Sequence, residues 1–203
     1  MSRISKPRDA APAPRAADRI RVSARELFYR EGIRAVGVDQ IVNRAGVTKP
    51  SLYRAFPSKD DLAAAYLSDY DREFWPRFEK PGGRRWPDAR AQVLAYIREL
   101  GKRAVQDGYR GCGLSNATVE YPDHTHPARG VAEAHKKALR KRLRELAAEM
   151  GARDPRVLGD GLMLLLEGAY VTGQQSPGGP AQSILAAAET LIDACTGKPA
   201  RRR

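Results

Sequence analysis

Cysteine, histidine and long apolar runs are all scarce in this chain of 203 residues, which holds two cysteines and three histidines. Cys112 and Cys195 form no CxxC pair, which excludes a disulfide framework or a zinc finger and suits free thiols in a reducing compartment. The greasiest stretch, Leu162 to Leu166, is closed by Glu167. It falls far short of the roughly 18 to 20 apolar residues that span a bilayer, so no membrane role is expected. Arg and Lys near the start have no apolar segment behind them; this reads as neither a secretory signal nor an anchor, and the expected location is the cytoplasm. No GxSxG, GKS or GKT phosphate loop, or GxGxxG occurs, so the usual marks of acyl, phosphoryl and dinucleotide chemistry are missing. Strand-like alternation is missing too.

What remains is a globular composition with 42% apolar and 30% charged side chains, enough for a substantial core. The net charge of +12 is unevenly spread. Residues 1–62 carry 13 basic and 7 acidic side chains, residues 63–197 carry 19 and 17, and residues 198–203 carry 4 and none. A basic head and tail around a nearly neutral body point to a polyanion met by the first sixty residues, because Lys and Arg release counterions condensed on phosphates.

The pattern in that head is helical. Behind a Pro- and Ala-rich basic arm at 1–17, Ile20, Ala24, Leu27 and Phe28 make one apolar stripe on a helix from about Asp18 to Glu31, stopped by Gly32. Val38, Ile41, Val42 and Ala45 predict a second helix, with Gly37 as N-cap and Gly46 as a left-handed stop. Thr48 then caps a third, Pro50 fits its first turn, and Leu52 with Phe56 turns inward. The Gly-containing connection from Ala45 to Thr48 suits a helix-turn-helix, whose third helix turns Lys49, Ser51, Tyr53 and Arg54 outward. Ser58 and Asp61 are spaced like a capping box for a fourth helix, and Lys59 beside its positive end reads as a phosphate ligand.

The run from Gly37 to Phe56, followed by Ser58-Lys59-Asp60-Asp61-Leu62, resembles the DNA-binding region of TetR-type transcriptional regulators. The Ala-Gly-Val-Thr-Lys turn, the Leu-Tyr-x-x-Phe of the third helix and the Ser-Lys-x-x-Leu opening the fourth all fall at the family's spacing. The resemblance implies that Thr48, Lys49, Tyr53 and Lys59 touch the DNA backbone. It implies likewise that Lys49, Pro50, Ser51 and Arg54 approach bases while Gln40 and Arg44 flank the groove. Gly37 departs from the Ser or Thr usual in the family, which weakens the second helix by a few tenths of a kcal/mol.

The remaining residues predict a helical body. A fourth helix is expected from Ser58 to about Trp75, ended by Pro76, and a fifth from about Pro87 to Gln106. A shorter sixth spans Leu114 to Tyr121. The seventh, from Pro127 to Met150, has Val131, Ala134, Ala138, Leu139, Leu143, Leu146, Ala147 and Met150 inside and a wet face of Lys136, Lys137, Arg140, Lys141, Arg142 and Arg144. Two last helices, about Pro155 to Thr172 and Pro180 to Thr196, close the body. The first of these has two apolar faces, Leu158, Leu162, Leu165 and Ala169 against Val157, Leu164, Gly168 and Val171, and two faces need two partners. The family resemblance implies that the last two helices dimerise, with Val157, Leu164, Gly168, Val171, Ile184, Ala188 and Leu191 at the contact. The segment Arg110 to Glu120 resembles one leading into a helix beside the effector cavity in a subset of these regulators. Cys112, Asn116 and Glu120 are thereby candidates to line a pocket with Tyr66, Trp75, Leu100, Tyr109, Leu165 and Tyr170.

The expected protein is all-α, with about nine helices: arm 1–17, helix-turn-helix head 18–62, effector-binding and dimerising body 63–197, and basic tail 198–203. The resemblance implies a non-enzymatic, ligand-responsive repressor that binds a palindromic operator as a homodimer and senses an unknown small molecule. The alternative from another class is a helical enzyme or small-molecule binder using Cys112 to His126. That region holds the densest polar cluster, Glu120, Asp123, His124 and His126, and Cys112 with His124 supplies the residue types of nucleophile and base. Two histidines in a Pro-containing loop fall short of a zinc ligand set, so no metal and no cofactor is expected. A third reading is an architectural DNA binder using arm and tail alone.

Overall fold

A computed structural model of the chain describes residues 15–175 and 181–197. Residues 1–14 of the expected arm, the tail at 198–203 and the expected start of the last helix at Pro180 lie outside the described residues, and the arm's last two positions, Ala16 and Ala17, belong to the first helix. Nine α-helices and no strand occur among those described: α1 Ala16–Glu31, α2 Val38–Ala45, α3 Lys49–Ala55, α4 Lys59–Glu79, α5 Ala89–Ala104, α6 Gly113–Glu120, α7 Pro127–Glu149, α8 Pro155–Gln175 and α9 Ala181–Thr196. A single 3-10 turn, Pro81–Gly83, links α4 to α5.

The head forms as its short-range signals dictate. Gly37 is the extended N-cap of α2, and Gly46, at φ 61° and ψ 44°, stops it in the left-handed region that a side chain resists. Thr48 Oγ1 accepts from the Ser51 amide at 3.4 Å to cap α3. Ser58 Oγ accepts from the Asp61 amide at 3.0 Å to cap α4. Asp61 departs from the reciprocal box, since its carboxylate accepts from the Ser58 hydroxyl at 2.6 Å. Ile20, Ala24, Ile41, Leu52 and Leu62 close a dry core between these helices.

The fourth helix runs past its expected end. Pro76 lies inside it, and the chain stays helical to Glu79. Proline there removes one backbone hydrogen bond and would ordinarily cost about 3 kcal/mol or more. Aromatic packing on both sides of the break offsets that loss: Phe74 stacks on Phe78 at 5.5 Å, and both rings meet Tyr96 edge-on at 5.8 and 5.0 Å.

The body is built on α7 and α8. Their crossing is close because Gly159 lies against Arg144: a Cβ there would fall 2.7 Å from the Arg144 backbone. The α7 stripe also differs from expectation in its first half. Ala128, Ala132 and His135 are buried and Ala134 and Ala138 exposed, because the imidazole of His135 faces inward to Asp71 on α4 at 2.6 Å. Lys136 leaves the wet face as well; its ammonium meets Glu167 of α8 at 2.5 Å and Ser115 of α6 at 2.8 Å.

Head and body are joined along α1 and α4. Arg21 pairs with Asp69 at 2.8 Å, Arg25 pairs with Glu73, and one continuous apolar cluster runs from Ile20 to Ile192. No described helix is long and apolar enough to cross a membrane.

Candidate functional site

Two sites emerge, an outer face of the head and a cavity beneath it. On the head, α3 buries Leu52 and leaves Lys49, Pro50, Tyr53 and Arg54 exposed, with Ser51 half-exposed. Tyr53 keeps 48% of its surface, although apolar rings of this size are usually covered. Three of the expected contact residues are held by carboxylates of the same chain. Lys49 meets Asp39 at 2.8 Å, Gln40 donates to Glu31 at 2.8 and 3.0 Å, and Arg44 pairs with Glu26. The Asp39 hydrogen bond raises the Lys49 ammonium above its ordinary range. Lys59 is half-buried, donates to the Arg34 carbonyl at 3.3 Å and has its pKa lowered by burial.

The cavity, of about 310 Å³, lies between α1 of the head and α4, α5 and α8 of the body. Five of the residues expected there line it: Tyr66, Leu100, Tyr109, Cys112 and Tyr170. Four do not. Trp75 donates its indole N–H to Asp71 at 3.0 Å, Asn116 donates to the Arg110 carbonyl at 2.7 Å, and Leu165 packs half-buried outside the wall. Glu120 sits instead where body meets head, accepting from the Arg34 amide at 2.9 Å. Asn116 and Glu120 fall outside it because α6 is only eight residues long and its last turn faces the α1–α2 connection, whereas Trp75 on α4 and Leu165 on α8 are not among the lining residues.

Sequence reasoning missed Tyr29, Tyr70 and Tyr96, and with them Arg25, Arg77 and Arg103. Their elements are far apart in the chain, so no spacing rule joins them; the usable signal was that six of the eight tyrosines belong to this one wall. Four phenols are engaged. The Tyr96 and Tyr170 hydroxyls meet at 2.9 Å, Tyr29 donates to the Gly111 carbonyl at 3.2 Å and accepts from the Arg110 amide at 3.0 Å, and Tyr70 reaches Gly111 at 3.5 Å. The hydroxyls of Tyr66 and Tyr109 are buried with no hydrogen-bond partner among the described residues. Burial raises the pKa of all six, so each stays a protonated donor.

Glycine shapes the wall. Gly111, at φ +70°, lies so close to α8 that a Cβ would stand 2.6 Å from the Tyr170 carbonyl oxygen, and at Gly113 one would stand 2.6 Å from the Tyr66 hydroxyl. Cys112 between them is buried, with its Sγ 3.8 Å from the Lys136 ammonium. His124 pairs with Glu133 at 2.7 Å, while His126 accepts from the Ala128 amide to cap α7 and stacks on Tyr121 at 3.8 Å. His126 Nε2 also lies 3.3 Å from Asp60 at the start of α4, so the polar loop is occupied with structural contacts.

The apolar residues expected at a dimer contact divide into two groups. Val157, Leu164 and Val171 are exposed at 59%, 73% and 53%, and Gly168 beside them has open space above it. Ile184 and Ala188 are instead buried inside the subunit, because that side of α9 packs on α5 and α8. Leu191 is half-buried against Gly161 of α8. The outward side of α9 carries Ser183, Ala187, Thr190 and Ala194.

Comparison with known proteins accords with this geometry. Residues 20–66 match the model of bacterial regulatory proteins of the tetR family. The chain is 30% identical over 179 residues to the transcriptional regulator AcuR of Cereibacter sphaeroides, covering 83% of this chain and 81% of that one. Among solved structures, a TetR-family transcriptional regulator from Streptomyces coelicolor is 34% identical with a TM-score of 0.83, covering 89% of this chain and 96% of its own. Another from Streptomyces avermitilis, described as putative, is 30% identical with a TM-score of 0.82, over 90% and 98% of the two chains. Helix order, the exposed α3 and overall identity agree: the chain is a TetR-family transcriptional regulator.

Proposed function

We propose that this regulator is a ligand-responsive repressor that binds a palindromic operator as a homodimer in the cytoplasm, with residues 18–62 reading DNA and 63–197 sensing ligand and dimerising. The observation that carries this reading is the cavity wall itself. Arg25, Glu26, Tyr29 and Arg30 of α1 belong to it, and Glu26 also pairs with Arg44 of α2. A ligand that favours a different seat for α1 shifts the helix-turn-helix with it and lowers operator affinity by its differential binding to the two arrangements.

In this reading α3 enters the major groove. Thr48, Tyr53 and Lys59 hold phosphates, while Lys49, Pro50, Ser51 and Arg54 approach base edges. Gln40 and Arg44 flank the groove after exchanging their carboxylate partners for DNA. The exposed stripe Val157–Leu164–Gly168–Val171 of α8 supports the dimer, since monomers rarely leave such a strip in water. Twofold symmetry of the protein then requires matching half-sites in the operator. The assigned work is binding and not catalysis, in keeping with relatives that are transcriptional regulators.

The test is fluorescence anisotropy with DNA flanking the protein's own gene against scrambled duplex, for wild type and Arg54→Ala at two salt concentrations. Discrimination lost in the variant supports base reading by α3. Equal binding to both duplexes with only a steep fall in salt contradicts it. A species that stays monomeric on DNA in analytical ultracentrifugation contradicts the dimer.

A further inference from the structure

The cavity's charge and its unpartnered donors go further than the reading above, on which this inference rests for the use of the site. Its wall carries the guanidinium groups of Arg25, Arg30, Arg77 and Arg103 against the carboxylates of Glu26 and Asp107. Much of this is balanced internally: Arg25 pairs with Glu73, Arg77 stands 4.0 Å from Glu73, and Glu26 holds Arg44. Arg103 is different. It is half-buried, takes part in no ion pair among the described residues, and its Nε has no hydrogen-bond partner there.

Tyr66 and Tyr109 belong to the same wall, and their hydroxyls are buried in it without a hydrogen-bond partner among the described residues. The buried side chain of Tyr66 retains only 5% exposure. A buried donor left unmatched carries its desolvation penalty, so an acceptor that satisfies it binds with that penalty relieved. The guanidinium of Arg103 lies 5.6 Å from the centre of the Tyr96 ring and is held in part by that side chain, while its Nε–H is left unmatched. Around these donors the surface is flat and apolar: Phe74, Tyr96, Tyr170 and Leu100.

We propose that the cavity takes a small organic anion, a carboxylate on a flat apolar body, with Arg103 and the Tyr66 and Tyr109 hydroxyls on the carboxylate and the aromatic walls on the body. A carboxylate is the acceptor that matches a planar guanidinium fork. The volume admits two fused rings, and Asp107 at the rim repels a ligand whose charge is carried at the wrong end.

The test is isothermal titration of the full chain with 2-naphthoate and with the neutral isostere 2-naphthamide. Wild type is expected to favour the carboxylate by roughly 10- to 100-fold. That preference should vanish in Arg103→Gln, weaken in Tyr109→Phe and survive in part in Arg103→Lys, with thermal melts reporting whether each variant is folded. The wild-type comparison needs no variant, so a fold defect in one leaves the proposal exposed to refutation. Equal affinity for acid and amide, no binding of either, or carboxylate binding unchanged in folded Arg103→Gln would each overturn it. Operator binding is measured separately. Carboxylate preference through Arg103 with operator affinity unchanged would uphold the anion site and remove the ligand-responsive reading, whereas operator release by a neutral ligand in the cavity would do the reverse.

Discussion

Arg34 and Glu120 clasp head to body through both backbone and side chain. The Arg34 amide donates to the Glu120 carboxylate at 2.9 Å, and the Arg34 guanidinium donates to the Glu120 carbonyl at 3.3 Å. Arg34 begins the approach to α2, and Glu120 ends the helix that starts beside the cavity at Gly113. The pair is therefore a second physical link, besides α1, between the body and the helix-turn-helix, and under the proposed function a second route from cavity to α3.

Replacing Glu120 with Ala removes the acceptor of a backbone amide near the surface, at a cost of about 1 kcal/mol in unfolding free energy. Ligand affinity should stay within about twofold, while the ratio of operator affinities without and with ligand should shrink. Urea denaturation and anisotropy titrations read the two effects; an unchanged ratio would leave α1 as the sole coupling element.

Asp39→Asn frees the Lys49 ammonium that Asp39 now holds. Binding to scrambled duplex at low salt should strengthen, roughly two- to fivefold, because an exposed pair no longer competes with phosphate. The slope of log affinity against log salt should steepen by up to about one counterion.

His135 predicts a pH dependence of stability. Burial holds its pKa below the ordinary 6.5, with the Asp71 hydrogen bond opposing that shift in part, and its Nε2 has no partner among the described residues. Folded protein thus binds fewer protons here than unfolded chain does. The contribution is whole above pH 6.5 and is lost progressively as pH falls below that value toward the lower folded pKa. The urea midpoint of wild type should drop between pH 7.5 and 5.5 by more than that of His135→Gln.

Gly159 and Gly168, one face apart on α8, should respond to alanine in opposite ways. At Gly159 the new methyl meets the Arg144 backbone, and overpacking of this kind costs about 1 to 3 kcal/mol. At Gly168 it meets nothing within 4 Å, so helix propensity alone gives a gain of up to about 1 kcal/mol. Thermal melts at concentrations where the chain is monomeric separate the two.

The head was legible because each of its decisions is local. Gly46, Thr48, Pro50 and Ser58 each act within four residues, and the apolar spacings agree with them. The body's helices were legible in number, yet Pro76 misled, since what keeps the helix going is Tyr96, twenty residues later. His135 and Lys136 read as surface because their partners, Asp71 and Glu167, sit on other helices. On α9 the outward side, Ser183, Ala187, Thr190 and Ala194, is only weakly polar, so it takes packing on α5 and α8 to tell Ile184 and Ala188 apart from it. The cavity was half legible: a recognised segment led to Cys112, and Tyr66, Leu100, Tyr109 and Tyr170 were named beside it, but a wall contributed by α1 had no precedent in spacing.

If the cavity senses a ligand as proposed, Tyr29 bears on how such a sensor diverges. It shares α1 with Ile20, Ala24 and Leu27, on which the head's core is built. Substitutions at 25, 26 or 29 that alter ligand preference thus disturb the DNA-reading unit in the same step, changing sensitivity along with taste. Those at 96, 103 or 170 face the same ligand from helices that carry none of the head. New chemical preferences can accumulate on that far wall while the response to occupancy, inherited through the near one, stays as it was.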